Sequence, residues 1–414
     1  HSDGRFVVFP NDRIAHALSF ILQLFYLQLM KSETENYDVL IVGGGIVGLW
    51  VAKHAIDAGL SVVVVDKDRV GAGASGGILG ALIPHLPSNW IEKKQFQFEA
   101  LYELPSDIAA IEEATGKKAG YQRVGRLMPL REEGFIKTTK KRGEAALTTW
   151  HQREETFDFL TGHDDRYADW LSPDYAPYGY ILDTFAARVH PRDYLGVLKA
   201  YVSARGTLIE GVTFSGYRDG KALLDGHADI AVGQVVLSQG YQTFDFLRDQ
   251  FDLDIGIGIK GQAVSFAIDL REDLPVVFDD GVYIVPHEDG TCGVGSTAEK
   301  VWSDPTSYND DDDAFIEKAY QLCPQLRDAE IIERWASVRP KCYEREPIIG
   351  KLTEGEPIYI ATGGFKVSFG IAHRVAKALV EEMTSGERTV QLPESFTVAY
   401  HLDKAKKAQA PFGS

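Results

Sequence analysis

The sequence predicts an α/β fold, and three observations carry the prediction. A strand, a glycine turn, a helix and a second strand follow one another between Tyr37 and Asp66, the order of a βαβ unit of about 30 residues. Two short apolar runs, Val235–Leu237 and Ile358–Ile360, read as further buried parallel strands, and each is followed by glycine. Residues 282–297 alternate around Asp289-Gly290, which is the pattern of an antiparallel hairpin.

The first strand is Tyr37-Asp38-Val39-Leu40-Ile41-Val42, apolar and β-branched. It runs directly into Gly43-Gly44-Gly45-Ile46-Val47-Gly48. A helix pattern spans Ile46 to Ala58, and Gly59 ends it. The second strand, Ser61 to Val65, is capped by Asp66. In this arrangement Gly43 permits the tight turn, Gly45 lets backbone approach a pyrophosphate, and Gly48 allows close helix–strand packing. The helix N-terminus offers N–H groups and partial positive charge to phosphates. Asp66 stands where a carboxylate accepts hydrogen bonds from ribose hydroxyls. These residues point to a dinucleotide, without separating NAD from FAD. The next segment, Val70-Gly71-Ala72-Gly73-Ala74-Ser75-Gly76-Gly77, is a long loop of small residues. Its N–H groups and Ser75 are expected to reach a second stretch of a large cofactor, whereas an NAD-type domain would proceed to its next helix. Toward the C-terminus, Ile358-Tyr359-Ile360 leads through Gly363-Gly364 to a helix at Gly370, with Ile371, Val375, Ala378 and Leu379 on its apolar face.

Bulk properties narrow the class. The chain has 414 residues, 44% hydrophobic and 25% charged, with a formal net charge of -17. Nucleic-acid binding draws on clustered Lys and Arg, so an acidic chain is not expected to bind it. Cys292, Cys323 and Cys342 form no C-x-x-C pair and no disulfide framework; a reducing, cytoplasmic setting and the absence of a metal site are expected. The apolar run Ile14–Leu29 is short for a membrane span and holds Gln23 and Gln28. The expectation is that Met30 is the natural start, that residues 1–36 form an extension outside the fold, and that no stable membrane insertion occurs. Asp310 to Asp313 is expected to be the solvated start of a helix, and Lys404 to Ser414 a loosely ordered tail.

Nine stretches, in order, resemble the D-amino-acid oxidase superfamily of flavoenzymes, which includes glycine oxidase and sarcosine oxidases. They are DVLIVGGGIVGL (38–49), GAGASGG (71–77), GYQRVGRL (120–127), VHPRDYL (189–195), ADIAVGQVVLSQG (228–240), KGQAVSF (260–266), VYIVPHEDGTCGVGST (282–297), WASVRP (335–340) and ATGGFKVSFGIA (361–372). The resemblance implies two lobes. A Rossmann-like FAD-binding domain would be built from 37–125, 186–262 and 335–414, and a discontinuous antiparallel-sheet substrate domain from 126–185 and 263–334. It implies noncovalent FAD held by Gly43, Gly45, Ile46, Val47, Gly48, Asp66, Lys67, Ala74, Ser75, Gly76, Val212, Gly240, Gly363, Gly364, Phe365, Lys366 and Gly370. Cys342 lies near the place where sarcosine oxidases attach FAD, but its spacing to Pro347 differs from theirs. Asp66 replaces the commoner Glu at the ribose position.

The resemblance also implies a substrate end. Arg339 looks like the arginine that pairs with a substrate carboxylate, a task suited to a planar guanidinium fork; the alternative is a structural ion pair with Glu344 or Glu346. Tyr283 resembles the tyrosine that donates a second hydrogen bond, although tyrosine is also a common strand residue. Lys366 is expected to be a cation near the flavin, or else a surface lysine. His85 and His287 are weaker candidates for the pocket lining. The implied activity is oxidative deamination, by hydride transfer to flavin, of glycine, sarcosine, a D-amino acid or another N-substituted amino acid. Oxygen or another acceptor would take the electrons, and a homo-oligomer is possible. Three rivals remain open at this point: an amino-acid or opine dehydrogenase feeding a different acceptor, an enzyme like the tRNA wobble-uridine carboxymethylamine oxidase, whose loop GALIPH (80–85) resembles, and a flavin-binding subunit without catalysis.

Overall fold

Alternate residues of the first strand, Asn36–Val42, face two different cores. Val39 and Ile41 pack with Val62, Val64, Val236 and Tyr359 on one side. Leu40 and Val42 pack with Val63, Val65, Val235 and Leu237 on the other. A strand covered on both faces must be apolar at consecutive positions, which is why this run shows no polar alternation. The computed structural model describes residues 36–150, 156–160, 166–310 and 313–409. The expectation about Met30 and most of the 1–36 extension lie outside these residues.

The first sheet runs, in spatial order, Ile348–Lys351, Ile358–Thr362, Ile230–Leu237, Asn36–Val42, Val62–Asp66 and Thr207–Glu210. All neighbours are parallel except the first pair. The hairpin Thr213–Arg218 and Lys221–Asp225 extends from Ile230–Leu237. Helices Ile46–Asp57, Glu92–Thr115, Pro191–Ser203 and Ser368–Ser385 cover one face. Helices Thr243–Phe251 and Val398–Gln409 lie against the other. The expected parallel strands at 37–42, 235–237 and 358–360 are thus neighbours, and their C-terminal ends converge.

The second sheet is ordered Glu330–Cys342, Gly256–Ala267, Thr291–Gly295, Val282–Pro286, Val276–Asp279, Arg126–Pro129, Tyr180–Asp183 and Phe157–Leu160. It is antiparallel except where Val276–Asp279 meets Arg126–Pro129. The expected hairpin is present, with Val285 opposite Gly293 and Gly290 at φ +79° in its turn. The two longest strands pair from Gly256 with Cys342 to Ala267 with Glu330. The lobe limits expected at 262 and 335 fall inside this pair. No turn residue or composition shift marks those positions, and the strands continue as one wall from the sheet to the cavity described below.

Two smaller expectations change. Of the tail expected at 404–414, residues 404–409 belong to the helix Val398–Gln409, tied down where Gln409 Nε2 donates to the Asp254 carbonyl at 3.0 Å; residues 410–414 lie outside the described set. Asp313 does precede the helix Ala314–Leu322, but its carboxylate is engaged by Arg334 Nη1 at 3.1 Å and Tyr308 Oη at 2.5 Å; residues 311 and 312 lie outside the described set. Among the described residues, no helix is long and apolar enough to cross a membrane.

Candidate active site

The turn after the first strand is built by contacts that only glycine tolerates. Gly43 has φ +107°, and a Cβ there would stand 2.5 Å from the Ser238 carbonyl oxygen. A Cβ at Gly48 would collide with the Gly43 carbonyl. Asp66, at the end of the second strand, accepts from the Gly44 N–H at 2.7 Å and the Asp68 N–H at 2.9 Å. Gly45 caps the helix Ile46–Asp57 without a side chain. The Ile46 N–H donates to Ser75 Oγ at 3.1 Å, so Ser75 caps the helix from the small-residue loop. The N–H groups of Val47 and Gly48 find no acceptor among the described residues. Unpaired first-turn donors of this kind attract phosphate.

A cavity of about 590 Å³ begins at this turn, inside the roughly 300–1,000 Å³ range of ligand pockets. One end is lined by Gly43, Gly45, Ile46, Val47, Asp66, Lys67, Ala74, Ser75 and Val212. The other is lined by Gly240, Gly363, Gly364, Phe365, Lys366, Tyr283 and Arg339. One continuous space therefore joins the amino-terminal glycine turn to the glycine pair near the carboxyl end.

Several expected residues stand outside its wall. Gly48, Gly76 and Gly370 serve close packing: a Cβ at Gly76 would collide with the Gly71 carbonyl, and one at Gly370 would stand 2.8 Å from Leu101 Cδ2, between helices. His85 is not in the wall either, although Ala81 and Ile83 are. Its N–H donates to Gln97 Oε1 at 2.9 Å, and burial lowers its imidazole to about 4. His287 sits behind the wall. Its Nε2 lies 3.3 Å from the Ile78 carbonyl, and burial lowers it too to about 4. Both rings are neutral at physiological pH, and neither reaches the cavity.

At the far end Arg339 is held with precision. Nη1 donates to Ser296 Oγ at 2.9 Å and Nη2 to the Thr297 carbonyl at 2.6 Å. Its Cζ stands 5.2 Å from the Phe365 ring centroid. Nε is buried without an acceptor. Among the described residues no carboxylate lies within ion-pair distance of Arg339. Glu346, its neighbour in sequence, pairs instead with Lys93. Burial lowers the guanidinium to about 10, which leaves it charged at neutral pH. Lys366 is exposed by surface area, and its Nζ lies over the Tyr283 ring at 5.8 Å; desolvation in the cavity wall, then Arg339, lowers it to about 8. Burial raises Tyr283 above its usual value, so its hydroxyl stays protonated, and no acceptor among the described residues engages it. Ser296, Trp335, Ser337 and the segment Ile78–Ala81 also line the cavity. Sequence reasoning had not singled out these residues; the small-residue end of the hairpin, Gly293-Val294-Gly295-Ser296, was the available signal.

The profile of the DAO family, described as FAD dependent oxidoreductase, matches residues 38–380. The chain belongs to this family. A glycine oxidase of Pseudomonas putida is 27% identical to this DAO-family chain over 366 residues, covering 84% of this chain and 95% of that protein. In structure, glycine oxidase from Geobacillus kaustophilus superposes with a TM-score of 0.78 at 20% identity, covering 88% of this chain and 98% of that one. Iminodiacetate oxidase from Chelativorans sp. BNC1 gives 0.76 at 21% identity, covering 87% and 98%.

The family cofactor is FAD, and the cavity fits it. The two orphan N–H groups, the paired Asp66 and the extension toward Gly363-Gly364 suit an elongated dinucleotide. The Cys342 thiol is fully buried and backs onto Gly363 rather than lining the cavity, and burial raises its pKa.

Proposed function

We propose that this DAO-family enzyme oxidises the C–N bond of a small amino acid or N-substituted amino acid with FAD held noncovalently. The observation that carries this reading is Arg339: a charged, part-buried guanidinium with no acidic partner among the described residues, in the same cavity as the dinucleotide turn. A buried cation without a counter-ion is costly to the fold. A substrate carboxylate supplies the missing charge and matches the fork.

Bound FAD supplies the two-electron acceptor for a hydride leaving the substrate carbon, and water hydrolyses the released imine. The chain's own residues bind and orient. Gly45 and Val47 offer N–H groups at the phosphate end, and Asp66 offers its carboxylate to ribose hydroxyls. Ser296 and the Thr297 carbonyl fix the Arg339 fork, so the carboxylate it holds arrives in one orientation. Tyr283 donates its free hydroxyl to the same carboxylate. Ile78, Leu79 and Ile83 give this end an apolar wall, which excludes water and strengthens the charge pairing. Orientation and electrostatics then suffice without a dedicated acid–base residue. The relatives whose names include glycine oxidase and iminodiacetate oxidase support an amino-acid substrate.

The test is an anaerobic flavin-bleaching screen of the FAD-loaded protein over glycine, sarcosine, D-amino acids, proline analogues and imino diacids. Bleaching by one of these classes is expected, and none from any of them would defeat the proposal. Oxygen consumption against dye reduction then assigns the electron acceptor.

A further inference from the structure

Arg339 is not alone at its end of the cavity. Lys366 lines the same wall, and both cations lie over one aromatic ring, with Arg339 Cζ 5.2 Å and Lys366 Nζ 5.9 Å from the Phe365 centroid; Lys341 Nζ stands 5.7 Å from the same ring but outside the cavity lining. Neither has a carboxylate within ion-pair distance among the described residues. Glu299, the acid that acts on Arg339 from further off, is committed to Thr297 Oγ1 at 2.6 Å and Gln262 Nε2 at 3.1 Å. The acids that line the cavity, Asp66, Asp68 and Asp245, stand with the nucleotide turn and its neighbours, and Asp66 is bonded to the Gly44 and Asp68 N–H groups.

This imbalance runs against the rest of the chain, where 60 acidic residues outnumber 43 Lys and Arg. Cations with acidic partners would be the default; these two have none. One carboxylate neutralises one of them and leaves the other facing its neighbour's like charge across the Phe365 ring. The ammonium of Lys366 sits over Tyr283, the residue proposed to share the Arg339 carboxylate. That places it on the substrate side of the wall. The sequence left Lys366 either beside the flavin or on the surface.

We infer that the substrate carries two carboxylates, one held by Arg339 beside the reacting carbon and the second by Lys366. The class is an amino or imino dicarboxylic acid with a short carbon chain between its acid groups. This inference rests on the proposed carboxylate role of Arg339 and extends it. No covalent step is added: Lys366 recognises charge, and the reacting bond is the same C–N bond.

Binding of inert acids to the FAD-loaded protein tests the inference without turnover. Acetate and succinate are titrated by calorimetry against the wild type, Lys366→Met and Arg339→Met, with flavin content and melting temperature recorded for each. Succinate is expected to bind wild type on the order of 10- to 100-fold tighter than acetate, the scale of one charge-assisted hydrogen bond. Lys366→Met should collapse that ratio toward one, and Arg339→Met should weaken both acids. Equal affinity of wild type for the two acids overturns the inference. So does a Lys366→Met protein that weakens both alike and shifts the flavin reduction potential, since that outcome assigns Lys366 to the cofactor. Acetate binding that survives Arg339→Met removes the carboxylate role of Arg339 itself, a failure distinct from loss of the succinate preference alone.

Discussion

Arg339→Met separates a functional arginine from a structural one, because the structure predicts opposite signs for the two properties it changes. Burial brings the Arg339 guanidinium from its usual value down to about 10. At about 1.4 kcal/mol per pH unit, the charged form is roughly 3 kcal/mol less favourable in the fold than in the unfolded chain. For a base held below its unfolded value, that penalty is complete below about pH 10 and fades above it toward the unfolded value, so it applies fully at neutral pH. Methionine removes it. Methionine also removes the hydrogen bonds to Ser296 Oγ and the Thr297 carbonyl, each worth roughly 1.5–3 kcal/mol when the donor is charged. The two effects largely offset, and urea denaturation of the FAD-loaded variant should fall within about 3 kcal/mol of wild type. Activity should not cancel. Losing the one guanidinium fork that lines the cavity among the described residues should lower kcat/KM by roughly 2–5 kcal/mol, a factor of about 30 to 5,000, expressed mainly in KM. A variant that loses more than about 3 kcal/mol of stability while keeping kcat/KM within about tenfold would show that Arg339 is a structural cation.

Three further outcomes follow from the same geometry. Gly48→Ala places a Cβ against the Gly43 carbonyl; the turn must shift, and purified protein should come out depleted in flavin by absorbance, whereas full FAD content would show that the turn gives way freely. Arg126→Leu leaves Asp183, which is fully buried and paired with Arg126 at 2.6 Å, without its counter-ion; a loss of about 3–5 kcal/mol is expected in the urea midpoint, and a loss under 1 kcal/mol would contradict it. Lys366 is a base lowered to about 8, faced by Arg339 and Tyr283, so its charge is complete below that pH and lost above it. The preference for succinate over acetate should vanish as pH rises through about 8, while acetate binding persists toward 10, where Arg339 begins to lose its own charge; a preference that holds to pH 9.5 would remove Lys366 from the site.

The parts of this enzyme legible in its sequence are those whose signals are local. Strand, glycine turn, helix and Asp66 lie within one short segment, and each has a residue pattern that no distant contact overrides. The order of the second sheet was not legible, because its neighbours are set by pairings such as Gly256 with Cys342 across most of a domain. Glycine shows the limit most clearly. Gly43 and Gly45 line the cavity, whereas Gly48, Gly76 and Gly370 let backbone or side chains close up behind it. The absence of a Cβ is common to both uses, and only the partner distinguishes them. His85 failed for a related reason: Ala81 and Ile83 do line the wall, but the strand ends at Leu82, and past it Pro84 and the bond to Gln97 set the path of the chain.

Charge pairing is the sharpest case, and it decides the reading of the site. Along the chain Arg339 lies close to Glu344 and Glu346, so a structural ion pair was the natural alternative. In the fold Glu346 is taken by Lys93, from the helix Glu92–Thr115, and Glu344 is exposed. The competition for Glu346 is won by a lysine 253 positions away, which no local pattern reveals. Its consequence is chemical: with the nearby acids engaged or out in solvent, Arg339 faces the cavity as a charge in want of a partner. A protein that only needed the arginine for stability had an acid within a few residues to spend on it. Leaving that arginine unpaired, at a cost to the fold, makes sense for a site whose missing anion arrives with the substrate.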